Sequence, residues 1–179
     1  MQNYKLKFKT NSGWRGYSGY LMIESLISLT IITVGLLGIF TLLSRSLSLN
    51  RVVADRYAAA YLAAEGIEIV KNMIDNRLLG EGPPWNEGLS DGEYEVDYDD
   101  IFYGDLAPAD SDALNYLKYD PAAGLYSYGG PKPTNFQRII NISNSEDGQE
   151  ITAQSTVNWV TRGGAQFSIT LEDHFFNWR

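Results

Sequence analysis

From Ser25 to Leu43 the chain runs for 19 residues without a charged side chain. A helix needs about 20 mostly apolar residues to cross a bilayer, so this run reads as a transmembrane segment. Lys5, Lys7, Lys9 and Arg15 are the only charges in the first 19 residues. Basic residues stay on the inner side, which favours an inside N-terminus and an outside body. Arg45, Arg51 and Arg56, beyond the run, weaken that bias.

The rest of the chain is acidic. The formal net charge is -8, and with the four early basic residues set aside, 10 basic residues face all 22 acidic ones, a charge of -12. Such a body lacks the broad cationic surface that phosphate backbones require, so direct binding of nucleic acid is not expected. With 0 cysteines, disulfides, thiolate nucleophiles and cysteine zinc sites are excluded.

Glu24 is the anomaly. It stands among Tyr20, Leu21, Met22 and Ile23 and the apolar run that follows. A carboxylate at the bilayer centre costs about 2.5–3.5 kcal/mol on insertion scales, so it wants a partner. Three readings of the segment compete. A secretory signal needs small residues after the run, and Ser46 and Ser48 supply a poor version; the run also exceeds the usual apolar core of a signal. An uncleaved signal anchor leaves Glu24 unexplained. Cleavage before the run, after Gly19, creates an α-amino group on Tyr20 one helical turn from Glu24, or within reach from a neighbouring copy. Opposite charges in low dielectric then offset much of each other's desolvation.

Gly19 followed by Tyr20-Leu21-Met22-Ile23-Glu24-Ser25-Leu26 resembles the class III signal of type IV prepilins and type II secretion pseudopilins. In that family a prepilin peptidase cuts after the glycine, the new first residue is N-methylated, and the fifth is glutamate. The resemblance implies cleavage between Gly19 and Tyr20, N-methylation of Tyr20, and a role for Glu24 in assembly and register. Tyr20 departs mildly, since phenylalanine is commoner there. Further on, Tyr61-Leu62-Ala63-Ala64-Glu65-Gly66-Ile67-Glu68-Ile69-Val70-Lys71, Phe136-Gln137-Arg138-Ile139-Ile140 and Asn177-Trp178-Arg179 are similar to the type IV pilus modification proteins, the PilV-like minor pilins.

Beyond Leu43 the pattern turns amphipathic. Val53, Tyr57, Ala60, Ala64, Ile67, Val70, Ile74 and Leu78 follow i+3/i+4 steps, with Arg56, Glu65, Glu68 and Lys71 off that stripe. Gly80 is a stop signal, and Pro83 and Pro84 bar continuation. The helix is expected from Tyr20 to about Leu79. Gly35 and Gly38 read as ordinary transmembrane glycines or close-packing points, against a weak point that melts on assembly; the second reading lacks the proline common in pilins.

The remainder reads as strands. A Gly/Pro-rich connector covers Gly80 to Asp91. Tyr94, Val96 and Tyr98 alternate with Glu93, Glu95 and Asp97, a strand with one wet acidic face. Leu117–Tyr119 and Leu125–Tyr128 flank a hairpin loop at Asp120-Pro121-Ala122-Ala123-Gly124. Phe136–Ile142 is one further strand. Ile151, Ala153, Val157 and Trp159 share a face of the next, and Phe167, Ile169 and Leu171 a face of the last, with turns at Asn144–Gly148 and Thr161–Gly164. The expected fold is α+β: a long N-terminal helix, half transmembrane and half amphipathic, on an antiparallel β-meander head, which the resemblance makes a pilin lollipop. Four segments follow: leader 1–19, transmembrane and filament-core helix 20–43, amphipathic helix 44–80, β-rich head 81–179.

Asp97, Asp99, Asp100, Asp105, Asp110 and Asp112 form an acidic run. Calcium takes 6–8 oxygen ligands, but EF-hand spacing is missing, and a solvated acidic loop is favoured over a calcium site. No cofactor is expected. His174, the one histidine, lies beside Asp173; without a nucleophile motif it reads as a surface or packed residue, and the chain as no enzyme. Asn141-Ile142-Ser143 matches a glycosylation sequon that begins inside an expected strand.

The resemblance implies a structural subunit, by the PilV-like segments a minor pilin, of a type IV pilus or related filament. Its partners would be prepilin peptidase, other pilin subunits through their N-terminal helices, the inner-membrane assembly platform and, before assembly, lipid. It would move from the inner membrane to an extracellular filament or periplasmic pseudopilus, head outward. The alternatives are a secretion or competence pseudopilin and, from another class, an anchored surface enzyme or receptor.

Overall fold

The computed structural model describes residues 17–79, 84–100, 103–109 and 115–177. The basic residues Lys5, Lys7, Lys9 and Arg15, the expected helix stop at Gly80, Pro83, Asp110, Asp112, Trp178 and Arg179 lie outside the described residues.

One helix, α1, spans Tyr17–Leu79. It begins before the expected Tyr20 and continues without interruption through Gly35 and Gly38. The chain divides into two compact units, with the boundary between Asn50 and Arg51. The first consists of the N-terminal part of α1, and each large apolar side chain from Tyr20 to Leu49 is exposed in it. That part has 0% of its most apolar stretch buried and is long and apolar enough to cross a membrane. Its hydroxyl groups turn onto their own helix: Thr30, Thr33 and Thr41 donate to the carbonyls of Leu26, Leu29 and Leu37 at 2.7–2.8 Å, and Ser25 to Met22 at 2.9 Å. Back-bonding of this kind removes polar groups from an apolar surface.

The second unit is the head. Its strands are β1 (Gly92–Glu95), β2 (Ala107–Pro108), β3 (Lys118–Asp120), β4 (Leu125–Ser127), β5 (Lys132–Pro133), β6 (Phe136–Asn144), β7 (Glu150–Val160) and β8 (Gln166–Phe176). They form a five-stranded antiparallel sheet in the order β2-β1-β6-β7-β8 and a three-stranded one in the order β4-β3-β5. β6, β7 and β8 make the expected meander, because each follows its neighbour through a short turn. Gly148 and Gly164 take φ of 65° and 80° in those turns, a region that side-chain-bearing residues avoid. β1 joins the other side of β6, and the chain between them carries the small sheet, including the expected hairpin over residues 118–127.

Alternation along the strands sets the core. On β6 Phe136, Arg138, Ile140 and Ile142 are buried; on β7 Ile151, Ala153, Ser155, Val157 and Trp159 are. The part of α1 within the head meets them with Ala59, Leu62, Ala63, Gly66, Ile69, Val70, Met73, Ile74 and Leu78. This corrects the expected stripe. Val70, Ile74 and Leu78 lie on it, but Val53 and Tyr57 are exposed, as is Ala64. The reason lies at Gly66, where a Cβ would stand 2.6 Å from Ile140 Cδ1 and from Ser155 Oγ. A helix seated that closely presents its small residues to the sheet and turns its tyrosines away.

The apolar contacts fall into two clusters. One joins Ile69 to Leu78 with Ile140, Ile142, Ile151 and Ala153, together with Trp85, Leu89 and Val96. The other joins Ala59, Leu62 and Ala63 with Leu117, Phe136, Val157 and Trp159. Between them on all three elements stand Gly66, Arg138 and Ser155, the polar or small residues of the interface. The connector after α1 is tied down by Tyr103, whose hydroxyl donates to the Trp85 carbonyl at 2.7 Å while Arg77 lies 5.4 Å from its ring centroid.

Candidate functional site

Gly19, Tyr20 and Glu24 lie on α1 in the first unit, all exposed. From Tyr17 to Ser44 Glu24 is the sole charged side chain. Among the described residues it has no hydrogen-bond or ion-pair partner, whereas the neighbouring serine and threonine hydroxyls at positions 25, 30, 33 and 41 are satisfied within the helix. Residues 20 and 24 share one helix face, a turn or about 6 Å apart. Among the described residues, the geometry therefore sets a carboxylate without a partner on an exposed apolar surface, next to the Gly19–Tyr20 peptide bond. A cation supplied at the Tyr20 nitrogen, or by another molecule, would satisfy it.

In the head, the expected acidic strand face is overturned. β1 ends at Glu95, which is buried; its carboxylate accepts the backbone N–H and the side-chain amide of Asn115, both at 2.7 Å. Asp97 accepts the N–H groups of Tyr98 at 2.8 Å and Tyr128 at 3.1 Å, and Asp100 accepts that of Asp97 at 2.7 Å. These carboxylates act as loop caps. Burial pushes the Asp100 carboxyl above its ordinary range; the N–H it accepts from Asp97 pulls the other way, and the charges of Asp97, Asp99 and Asp105 add to the rise. Among the described residues no three acidic, histidine or cysteine side chains converge as a metal site.

His174 lies on the outer face of β8, with Nδ1 2.5 Å from Glu150 Oε1 on β7 and Nε2 3.2 Å from Glu172 Oε1. The hydrogen bond to Glu150, and then that to Glu172, raises its pKa. Asn141 is exposed but stands in mid-β6, paired with Glu93 and Gln154, so the sequon lies within the sheet. Trp159 is core, stacked on Phe167 at 5.6 Å.

Sequence reasoning missed Arg138. Fully buried, it donates through Nη1 to the Leu62 carbonyl at 3.1 Å and through Nη2 to that of Val96 at 2.7 Å, and lies 3.3 Å from Glu65. The available signal was a basic residue at an inward position of an alternating strand. No protein-family model, curated protein or solved structure matches the chain.

Proposed function

We propose that the chain is a pilin-class filament subunit, of the minor, PilV-like kind, freed from its leader between Gly19 and Tyr20 and assembled through the N-terminal part of α1. The observation that carries this reading is Glu24, the sole charge between Tyr17 and Ser44, on an exposed apolar stretch of α1, without a partner among the described residues and one turn from the bond to be cut. A helix stretch whose large apolar side chains are exposed from Tyr20 to Leu49 favours lipid or like helices around it. Moving from lipid into a bundle of such helices changes little hydrophobic energy, so extraction into a filament is feasible. In the bundle the new α-amino group of one Tyr20 would pair with Glu24 of its own or a neighbouring copy, and a copy out of register would be penalised by an unpaired buried charge.

The test is the mass and N-terminus of the full chain after co-expression with a prepilin peptidase, beside a Gly19→Val control. A product that begins at Tyr20, with the control uncut, is expected. A chain that stays intact, or is cut beyond the apolar run, overturns the reading.

A further inference from the structure

Asn72, Asp75 and Asn76 stand at i, i+3 and i+4 on one face of α1, within the head. Across from them are Tyr98 and Asp100, in the turn after β1. Together with Ile69 these residues line a groove of about 290 Å³. That is the small end of organic-ligand pockets, which run from about 300 Å³ upward.

The side chains in it are poised rather than spent. Among the described residues, those of Asn72, Asp75, Asn76 and Tyr98 make no hydrogen bond or ion pair. Asp100 commits Oδ2 to the Asp97 N–H. The partial burial of Asp100 strengthens any further hydrogen bond it accepts.

The chemistry of the lining narrows the ligand. Two carboxylates repel an anion. A bare cation would use the acceptors and leave the amide N–H groups of Asn72 and Asn76 idle, since an asparagine both donates and accepts. A hydroxyl group also does both, and several on one ring match a wall that mixes carboxylates with amides. The Tyr98 ring, 47% exposed, and Ile69 offer apolar surface for the C–H face of such a ring. We propose that this groove binds a saccharide ring, its hydroxyls held by Asn72, Asp75, Asn76 and Asp100 and its C–H face laid on Tyr98. All of these residues belong to the head, so the groove exists whether or not the chain enters a filament.

The test is a titration of the full chain, ¹⁵N-labelled, in micelles of a detergent without a sugar headgroup. Glucose, galactose, mannose and N-acetylglucosamine are added separately, and arginine amide serves as the cationic arm. At least one sugar is expected to shift the side-chain amide signals of Asn72 and Asn76 saturably. Asp75→Ala and Tyr98→Ala, both at exposed positions, are expected to weaken that sugar about tenfold each, the worth of one good contact, with the rest of the spectrum unchanged. Asp75→Asn serves if the alanine variant does not fold. No response to any of the four sugars overturns the proposal. So does a response to arginine amide alone, which would make the groove a cation site, or a sugar response that both variants leave intact.

Discussion

The Arg138 guanidinium and the Glu65 carboxylate meet 3.3 Å apart, the first fully buried on β6 and the second 31% exposed on α1. Two carbonyls accept from its terminal nitrogens, Leu62 O on the helix and Val96 O after β1, while its buried Nε has no partner among the described residues. One side chain thus ties three segments that are remote in sequence, at the seam between the two apolar clusters. A charge buried there is tolerable because it is paired and hydrogen-bonded.

Removing it should be expensive. Arg138→Ala leaves Glu65 without its cation, two carbonyls without a donor and a cavity between the clusters, and is expected to cost about 3–5 kcal/mol. Glu65→Gln keeps an acceptor at a half-open position and should cost less, about 1–2 kcal/mol. Urea unfolding of the full chain in micelles, followed by tryptophan fluorescence, checks both; equal losses would mean that the ion pair, not the carbonyl contacts, dominates.

Gly66 gives the second prediction. Alanine normally favours a helix interior over glycine by about 1 kcal/mol. Here its Cβ would stand 2.6 Å from Ile140 Cδ1 and Ser155 Oγ and 3.2 Å from Arg138 Cδ. Ser155 is buried and cannot swing away into solvent. Gly66→Ala is therefore expected to destabilise by about 1–3 kcal/mol despite its propensity. Pairing it with Ser155→Ala and Ile140→Val removes both obstructing atoms, so the triple variant should be more stable than the sum of the single changes. Additive losses in the same unfolding assay would show that the helix does not sit this close.

How far the sequence reaches is visible in these residues. The apolar run, the strands around Ile140, Val157 and Ile169 and the glycine turns are legible because alternation and turn chemistry are local signals. The helix face was legible only toward Leu78, where one run of large apolar residues dominates. Near Tyr57 alanines, a glycine and tyrosines offer two competing stripes, and close approach at Gly66, a property of the partner sheet, decides between them. Alternation alone places Glu95 on a wet face and gives Arg138 no role; their burial depends on Asn115, Leu62 and Val96, partners whose pairing no spacing rule encodes. Between Tyr17 and Ser44, the lone charge of Glu24 is legible because a charge in an apolar run needs no partner to be noticed.

His174 makes stability depend on pH. Its folded pKa is raised above the ordinary value of 6.5, first by the hydrogen bond to Glu150 and then by that to Glu172. A raised histidine contributes stability that is full below the unfolded pKa and is lost as pH rises through the folded one. The melting temperature of the full chain should therefore fall as pH climbs from below about 6.5 to above the folded value, and His174→Gln should flatten that dependence. In an NMR titration of the ring, Glu150→Gln should lower the midpoint more than Glu172→Gln. A midpoint that neither change moves would sever His174 from both carboxylates.

Glu24 gives the last prediction. In Glu24→Ala the apolar run is intact, the Gly19–Tyr20 bond is unchanged, and α1 gains a stronger helix former. Membrane insertion and cleavage should therefore proceed as in the parent chain, and insertion should improve slightly, since a costly charge is gone. Filament entry should suffer, because the Tyr20 amine loses its counter-charge when it leaves the interface for an apolar bundle. Glu24→Asp, which keeps the charge on a shorter stem, should fall between. The measurement is the ratio of subunit in sheared filaments to subunit in membranes, for the parent and both variants at equal cleavage. Parent-like ratios in Glu24→Ala would remove the pairing from the assembly step and leave the carboxylate a role only before or during cleavage.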